Sequence, residues 1–199
     1  MRSDEELMTA YARGDTAAFR ELFERYAPML LRMLLRQLRV REEATDLLQQ
    51  TFLQLHRARL DFDSGQRFRP WIFTIALNLK REYWRRARRR PESVLDDAAL
   101  AELGVEARGA KRWEARRDLL HGLAQVRPDQ REVIELHWFE GLSFSEIGEC
   151  LGLTANAVKV RAHRGYVTLR ERLGDDLPPL EEGASNRPAT AGIDPKSIP

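Results

Sequence analysis

Two groups of residues in this chain carry donors and charges suited to nucleic acid. Asn156, Lys159, Val160, Arg161, His163 and Arg164 lie within one short segment. An arginine can bind guanine bidentately, and an asparagine can pair with adenine. Upstream, Thr74, Asn78, Arg81, Arg85 and Arg88 recur at helical spacing, with Trp71 near the N-terminal end of their stripe. Cations grip phosphates, and an exposed aromatic ring can stack on an unpaired base. Residues 80–90 hold seven cations against one acid, Glu82. The formal net charge of +2 therefore hides a segregation: residues 1–90 carry 19 Lys+Arg against 12 Asp+Glu. Such asymmetry points to an anionic partner, nucleic acid before membrane. A solvated helix face is the plain alternative for the basic run, and a polar-faced helical hairpin is the alternative for 156–164.

Residue patterns for catalysis are missing from the chain. There is no GxxxxGK[ST] phosphate loop, no paired-carboxylate motif and no His/Cys cluster at metal-ligand spacing. His56, His121, His137 and His163 stand singly, and Cys150 is the one cysteine, which excludes an intrachain disulfide. The chain is expected not to be an enzyme and to use no cofactor and no metal. Cys150 reads as a small buried residue. The opening residues are charged and lack an apolar core, and no apolar run approaches the ~20 residues of a membrane span. A cytoplasmic location without membrane insertion is expected.

The elements that must position these groups are helices. Strand alternation is absent, so the class is all-α. From Ala17 to Leu38 apolar residues recur three and four apart, and a second helix is predicted from about Glu42 to Arg59, with Ala44, Leu47, Leu48, Phe52 and Leu55 inward. Residues 61–67 break the pattern with turn formers. Pro70 suits the first turn of a third helix, predicted to continue through the basic run to Pro91. Its inward face is expected at Ile72, Ile75, Ala76, Leu79 and Tyr83, with Phe73 and Trp84 in the core. Residues 91–112 turn acidic and lose periodicity, which predicts a flexible linker. The last 25 residues hold scattered acids and prolines with few large apolar side chains, which predicts a disordered tail over 175–199.

The sharpest local pattern lies in 143–172. Ser143 and Glu146 have capping-box spacing, Gly152 supplies a left-handed turn, and Thr154 can cap the helix that follows. On that helix Val158, Ala162, Gly165 and Leu169 face inward. Asn156, Val160, His163 and Arg164 face outward, with Lys159 and Arg161 on the flanks. This is the geometry of a helix-turn-helix reading a major groove.

With these residues in place, the chain resembles the extracytoplasmic-function sigma factors of the sigma-70 family. DLLQQTFLQLHRA at 46–58 and FRPWIFTIALN at 68–78 are similar to sigma region 2, and 126–165 are similar to region 4. The resemblance implies region 2 over 5–90, a linker over 91–112 and region 4 over 113–174. It implies that Asp46, Gln49 and Gln50 contact the β′ clamp helices of core RNA polymerase. The family usually carries an acid where this chain has Gln50. It implies that Asp61, Phe62, Asp63, Ser64 and Phe68 match a loop that pockets a flipped base of the −10 element. Trp71, Thr74, Asn78, Arg81, Arg85 and Arg88 match the −10-recognition helix, and the helix from Ala155 matches the −35 reader. The implied partners are core polymerase, through the β′ clamp helices and the β flap, promoter DNA and an anti-sigma factor. Two alternatives stay open: a sigma-like protein that only titrates an anti-sigma factor, and a helix-turn-helix regulator outside the sigma family.

Overall fold

The computed structural model describes residues 2–38, 40–88 and 119–173. All regular structure among them is helical, and they fall into two compact units, one built on the first four helices and the other holding the bulk of the helical segments after residue 119.

The first unit contains α1 (Asp4–Ala12), α2 (Thr16–Gln37), α3 (Arg41–Arg57) and α4 (Phe68–Ala87). α1 starts at a capping box: the Glu6 N–H donates to Ser3 Oγ at 3.1 Å, and the Ser3 N–H donates to Glu6 Oε2 at 2.7 Å. Asp15 begins α2 by accepting from the N–H groups of Ala17 and Ala18 at 3.0 and 3.1 Å. Leu22, Tyr26, Leu30, Met33 and Leu34 form the buried stripe of α2. Pro28 lies within this helix and is exposed. α2 packs on α1 and α3, and α3 packs on α4. The expected inward residues of α3, Ala44, Leu47, Leu48, Phe52 and Leu55, are all buried. Thr51 joins them, its hydroxyl satisfied by the Leu47 carbonyl at 2.7 Å.

The second unit contains a helical stretch at 119–125, then α5 (Pro128–Trp138), α6 (Phe144–Leu151) as far as Gly148, and α7 (Ala155–Leu173). Leu123, Val126, Ile134 and Leu169 form its core, flanked by Leu119, Trp138 and Leu173. α5 and α7 pack together. A Cβ on Gly165 of α7 would lie 2.8 Å from Ile134 Cδ1 and 2.9 Å from Gln130 Cβ, so this approach requires glycine.

Several expectations need correction. α3 ends at Arg57, not Arg59, because residues 58–60 form a turn. α4 ends at Ala87 with Arg88 as its cap, short of Pro91. Arg89, Arg90, Pro91, the expected linker at 91–112 and the tail at 175–199 lie outside the described residues. The buried face of α4 comprises Ile72, Phe73, Ala76, Leu77 and Lys80, with Ile75, Leu79 and Tyr83 only half-buried. The core is therefore rotated toward Phe73 and Leu77, and one cation of the basic run is drawn in with it. Phe73 is core as expected, whereas Trp84 is half-buried and packs edge-on against Tyr83.

Candidate nucleic-acid interfaces

α4 is presented from two directions. At its N-terminal end, Arg67 is the N-cap residue and makes no side-chain cap. At its far end, the Tyr83 hydroxyl donates to Glu43 of α3. Burial and the Glu43 carboxylate together push the Tyr83 phenol well above its ordinary range, so Tyr83 remains a donor.

Asn78, Arg81, Arg85 and Arg88 are all exposed on this helix, as their spacing predicts. Arg81 donates to Asn78 Oδ1 at 3.1 Å, which ties two members of the stripe together. Arg85 and Arg86 both lie near Glu82, at 3.5 and 2.5 Å. These guanidinium groups are largely exposed, so the pairs contribute little to stability and leave the groups able to exchange partners. Thr74 is half-buried, and its hydroxyl donates to the Pro70 carbonyl at 2.8 Å.

The loop before α4 folds onto an aromatic cluster. The Phe62 and Trp71 rings lie 5.0 Å apart, and Phe68 lies 5.9 Å from Phe62 and 6.0 Å from Trp71. Phe62 and Trp71 are half-buried, whereas Asp61, Asp63 and Ser64 are exposed. The Asp63 carboxylate accepts from the Gly65 N–H at 2.9 Å, an Asx turn that shapes the loop tip. Phe68 is fully buried, which corrects its placement among residues touching a base: it is the floor on which Phe62 and Trp71 rest.

The acids of α1 reach this floor. The Phe68 N–H donates to Glu5 Oε1 at 2.9 Å. Burial alone pushes the Glu5 carboxyl up, but hydrogen bonds from the Phe68 N–H, its own N–H and Ser3 outweigh it and hold the group below its usual range. Tyr26 packs against Phe68 at 5.1 Å and donates its hydroxyl to Asp4, which also receives Arg25. Ser3 and Glu6 have the same spacing as Ser143 and Glu146, a signal in the sequence for the start of α1 but not for its reach to Phe68.

On α7, Asn156, Lys159, Val160, His163 and Arg164 are exposed and Arg161 is half-buried. Val158, Ala162, Gly165 and Leu169 are buried together with Tyr166. The turn before this helix carries Gly152 at φ +67°, in the left-handed region. Thr154 caps α7 by accepting from the Ala157 N–H at 3.2 Å. The capping box of α6 is formed as well: Glu146 N–H donates to Ser143 Oγ at 3.2 Å, and Ser143 N–H donates to Glu146 Oε2 at 2.8 Å.

Asp46, Gln49 and Gln50 are exposed on α3, and Leu53, 47 % exposed, follows on the same side of that helix. None of the described helices is long and apolar enough to cross a membrane, and the described residues hold no His/Cys/Asp/Glu cluster able to bind a metal.

Comparison with known proteins decides the family. Sigma-70 region 2 matches residues 22–90 and sigma-70 region 4 matches residues 116–169. The RNA polymerase sigma factor CarQ of Myxococcus xanthus is 40% identical over 168 residues, covering 84% of this chain and 96% of its own. This chain belongs to the extracytoplasmic-function sigma factors of the sigma-70 family. SigW of Bacillus subtilis, an ECF RNA polymerase sigma factor, is 31% identical over 82% of this chain and 92% of its own. Among solved structures, CnrH, in complex with the cytosolic domain of CnrY, is similar with a TM-score of 0.67 and 28% identity over 88% of this chain and 100% of that one. The all-α class is borne out, and the function is that of a sigma factor in transcription initiation.

Proposed function

We propose that this sigma factor joins core RNA polymerase through α3 and reads a promoter with two separate surfaces. Asp46, Gln49 and Gln50 bind the β′ clamp helices. The α4 stripe and the 61–68 loop engage and help open the −10 element. The outward face of α7 reads the −35 element as duplex. In domain terms, residues 5–90 act as region 2 and residues 113–174 as region 4, the latter also meeting the β flap. One observation carries this reading: each set of residues assigned to DNA stands, Phe68 apart, at or partly at the solvent surface of a helix or loop whose opposite face forms a core.

The factor itself catalyses nothing, since the polymerase performs the chemistry, and it works in the cytoplasm without entering a membrane. An anti-sigma factor is a further partner, supported by the solved complex of CnrH with the cytosolic domain of CnrY. A protein that only titrated such a partner would have no need of the exposed arginine stripe kept here.

Run-off transcription with core polymerase, with and without this chain, on a genomic promoter library tests the reading. Chain-dependent transcripts sharing −35 and −10 sequences are expected, and their absence across the library contradicts it. Asp46→Arg is expected to abolish holoenzyme formation with helicity unchanged. Native-gel assembly of that variant at wild-type affinity removes α3 from the polymerase interface.

A further inference from the structure

We propose that Glu5 is a positioning residue for promoter opening: its carboxylate supplies the missing cap of α4 and so fixes the aromatic floor of the 61–68 loop. The inference rests on the role proposed for that loop and α4. The first turn of a helix presents N–H groups that the helix itself cannot satisfy. In α4 the N-cap residue Arg67 offers no side-chain acceptor, and Pro70 carries no N–H. The Phe68 N–H is instead received by Glu5, 63 residues away in sequence, at 2.9 Å. A carboxylate there also meets the positive end of the helix dipole.

The neighbouring acid secures the same point from its other side. Asp4 accepts from the Tyr26 hydroxyl, and the Tyr26 ring packs edge-on against Phe68. Two adjacent acids of α1 thus hold the backbone of Phe68 and the ring beside it. Phe68 in turn carries Phe62 and Trp71, whose rings are half-exposed. A pocket that receives an unstacked base works only when its walls are fixed before the base arrives, because unstacking already costs several kcal/mol. α1 lies before residue 22, where the sigma region 2 match begins, so this support comes from outside the matched segment.

The test uses holoenzyme assembled from core polymerase and the full chain carrying Glu5→Ala, Glu5→Gln or Trp71→Ala. Permanganate reactivity of the −10 region is followed in time on closed and pre-opened templates. Glu5→Ala is expected to slow opening of the closed duplex about five-fold, the scale of a lost helix cap. Assembly should stay at the wild-type level, and transcription from the pre-opened template should change far less. Glu5→Gln keeps an oxygen that accepts from the Phe68 N–H and should restore most of the rate. If Glu5→Ala lowers assembly and opening in equal proportion, or if Glu5→Gln fails to rescue, the carboxylate serves general folding and the inference is wrong. If Trp71→Ala slows opening and Glu5→Ala does not, the inference fails while the reading of the loop stands. If neither slows opening, the reading of the loop falls as well.

Discussion

α4 and α7 put cations on one helix face and core residues on the other, yet they are built differently. α4 bears bulky side chains inward, Ile72, Phe73 and Leu77, and starts beside the Phe62–Trp71 pair. α7 turns Ala162 and Gly165 inward and presents an amide, an imidazole and cations outward, with no Phe, Tyr or Trp ring among the residues assigned to DNA. Rings suit a strand whose bases have left the stack, whereas amides and guanidinium groups suit the edges of paired bases. The difference matches what the proposed division requires, single-strand contacts at one helix and duplex contacts at the other.

The largest effect should come from the packing of α7. A valine at position 165 would push its Cβ into Ile134 and Gln130 and its branches toward Val126. Gly165→Val is expected to destabilise the second unit by ~3 kcal/mol or more. Gly165→Ala should cost less, because a gain of ~1 kcal/mol in helix propensity offsets part of the clash. Hydrogen exchange of the full chain reads this by segment. Protection should fall in 119–173 and persist in 4–88, and equal loss in both would make the two surfaces one folding unit.

Next in size is the double change Arg81→Ala with Arg85→Ala. Holoenzyme should still assemble and should still prefer a −35 box, but the duplex should fail to open. Two lost phosphate contacts to a single strand should also reduce the salt dependence of −10 binding by roughly 1.4 in log–log slope. A pre-opened template should rescue part of the defect. Unchanged melting in this variant would return the stripe to a solvated helix face.

The contrast also shows what a single sequence makes legible. The helix-turn-helix was readable in detail because its determinants are local: Ser143 and Glu146 cap one helix, Gly152 makes the turn, and 100° spacing sorts the faces of α7. α4 was readable only in part. Its outward stripe follows from spacing, but its inward face is set by the neighbours it packs on, so Leu77 and Lys80 are buried with the expected Phe73 while Ile75, Leu79 and Tyr83 are only half-buried. Burial of Lys80 runs against its charge, and no local pattern announces it. The Glu5–Phe68 bond spans 63 residues and has no signature in either segment. The alignment of Asp46, Gln49 and Gln50 on an exposed face was readable from spacing, but their partner came from resemblance to the family.

A smaller effect is expected at the outward face of α7. Arg164→Ala or Lys159→Ala should weaken −35 binding by roughly 1–3 kcal/mol where the lost contact is a bidentate base pair. The loss should be less, and uniform across sequences, where the contact is to phosphate. Binding titrations against −35 variants separate the two. A pre-opened bubble should rescue these variants less than the Arg81/Arg85 pair, and equal rescue would erase the distinction between the helices.

The smallest effect tests whether the shared device, a capping box, serves the two units differently. Ser143→Ala removes the Oγ that receives the Glu146 N–H and frees the Glu146 carboxylate from a hydroxyl it also accepts from at 2.8 Å. Ser3→Ala removes the equivalent oxygen from α1. Each should cost about 1 kcal/mol in thermal or denaturant unfolding, since each cap sits at an exposed helix end and frees one N–H to water. Their functional consequences should diverge. α6 leads through the Gly152 turn into the helix proposed to read duplex, so Ser143→Ala should lower −35 affinity and leave melting alone. α1 carries the acids that fix Phe68, so Ser3→Ala should slow opening and leave −35 affinity alone. Asp substitutions retain a capping oxygen and should restore both. If the two alanine variants lose stability equally but shift the same functional step, the division of labour between α4 and α7 does not extend to the helices that hold them.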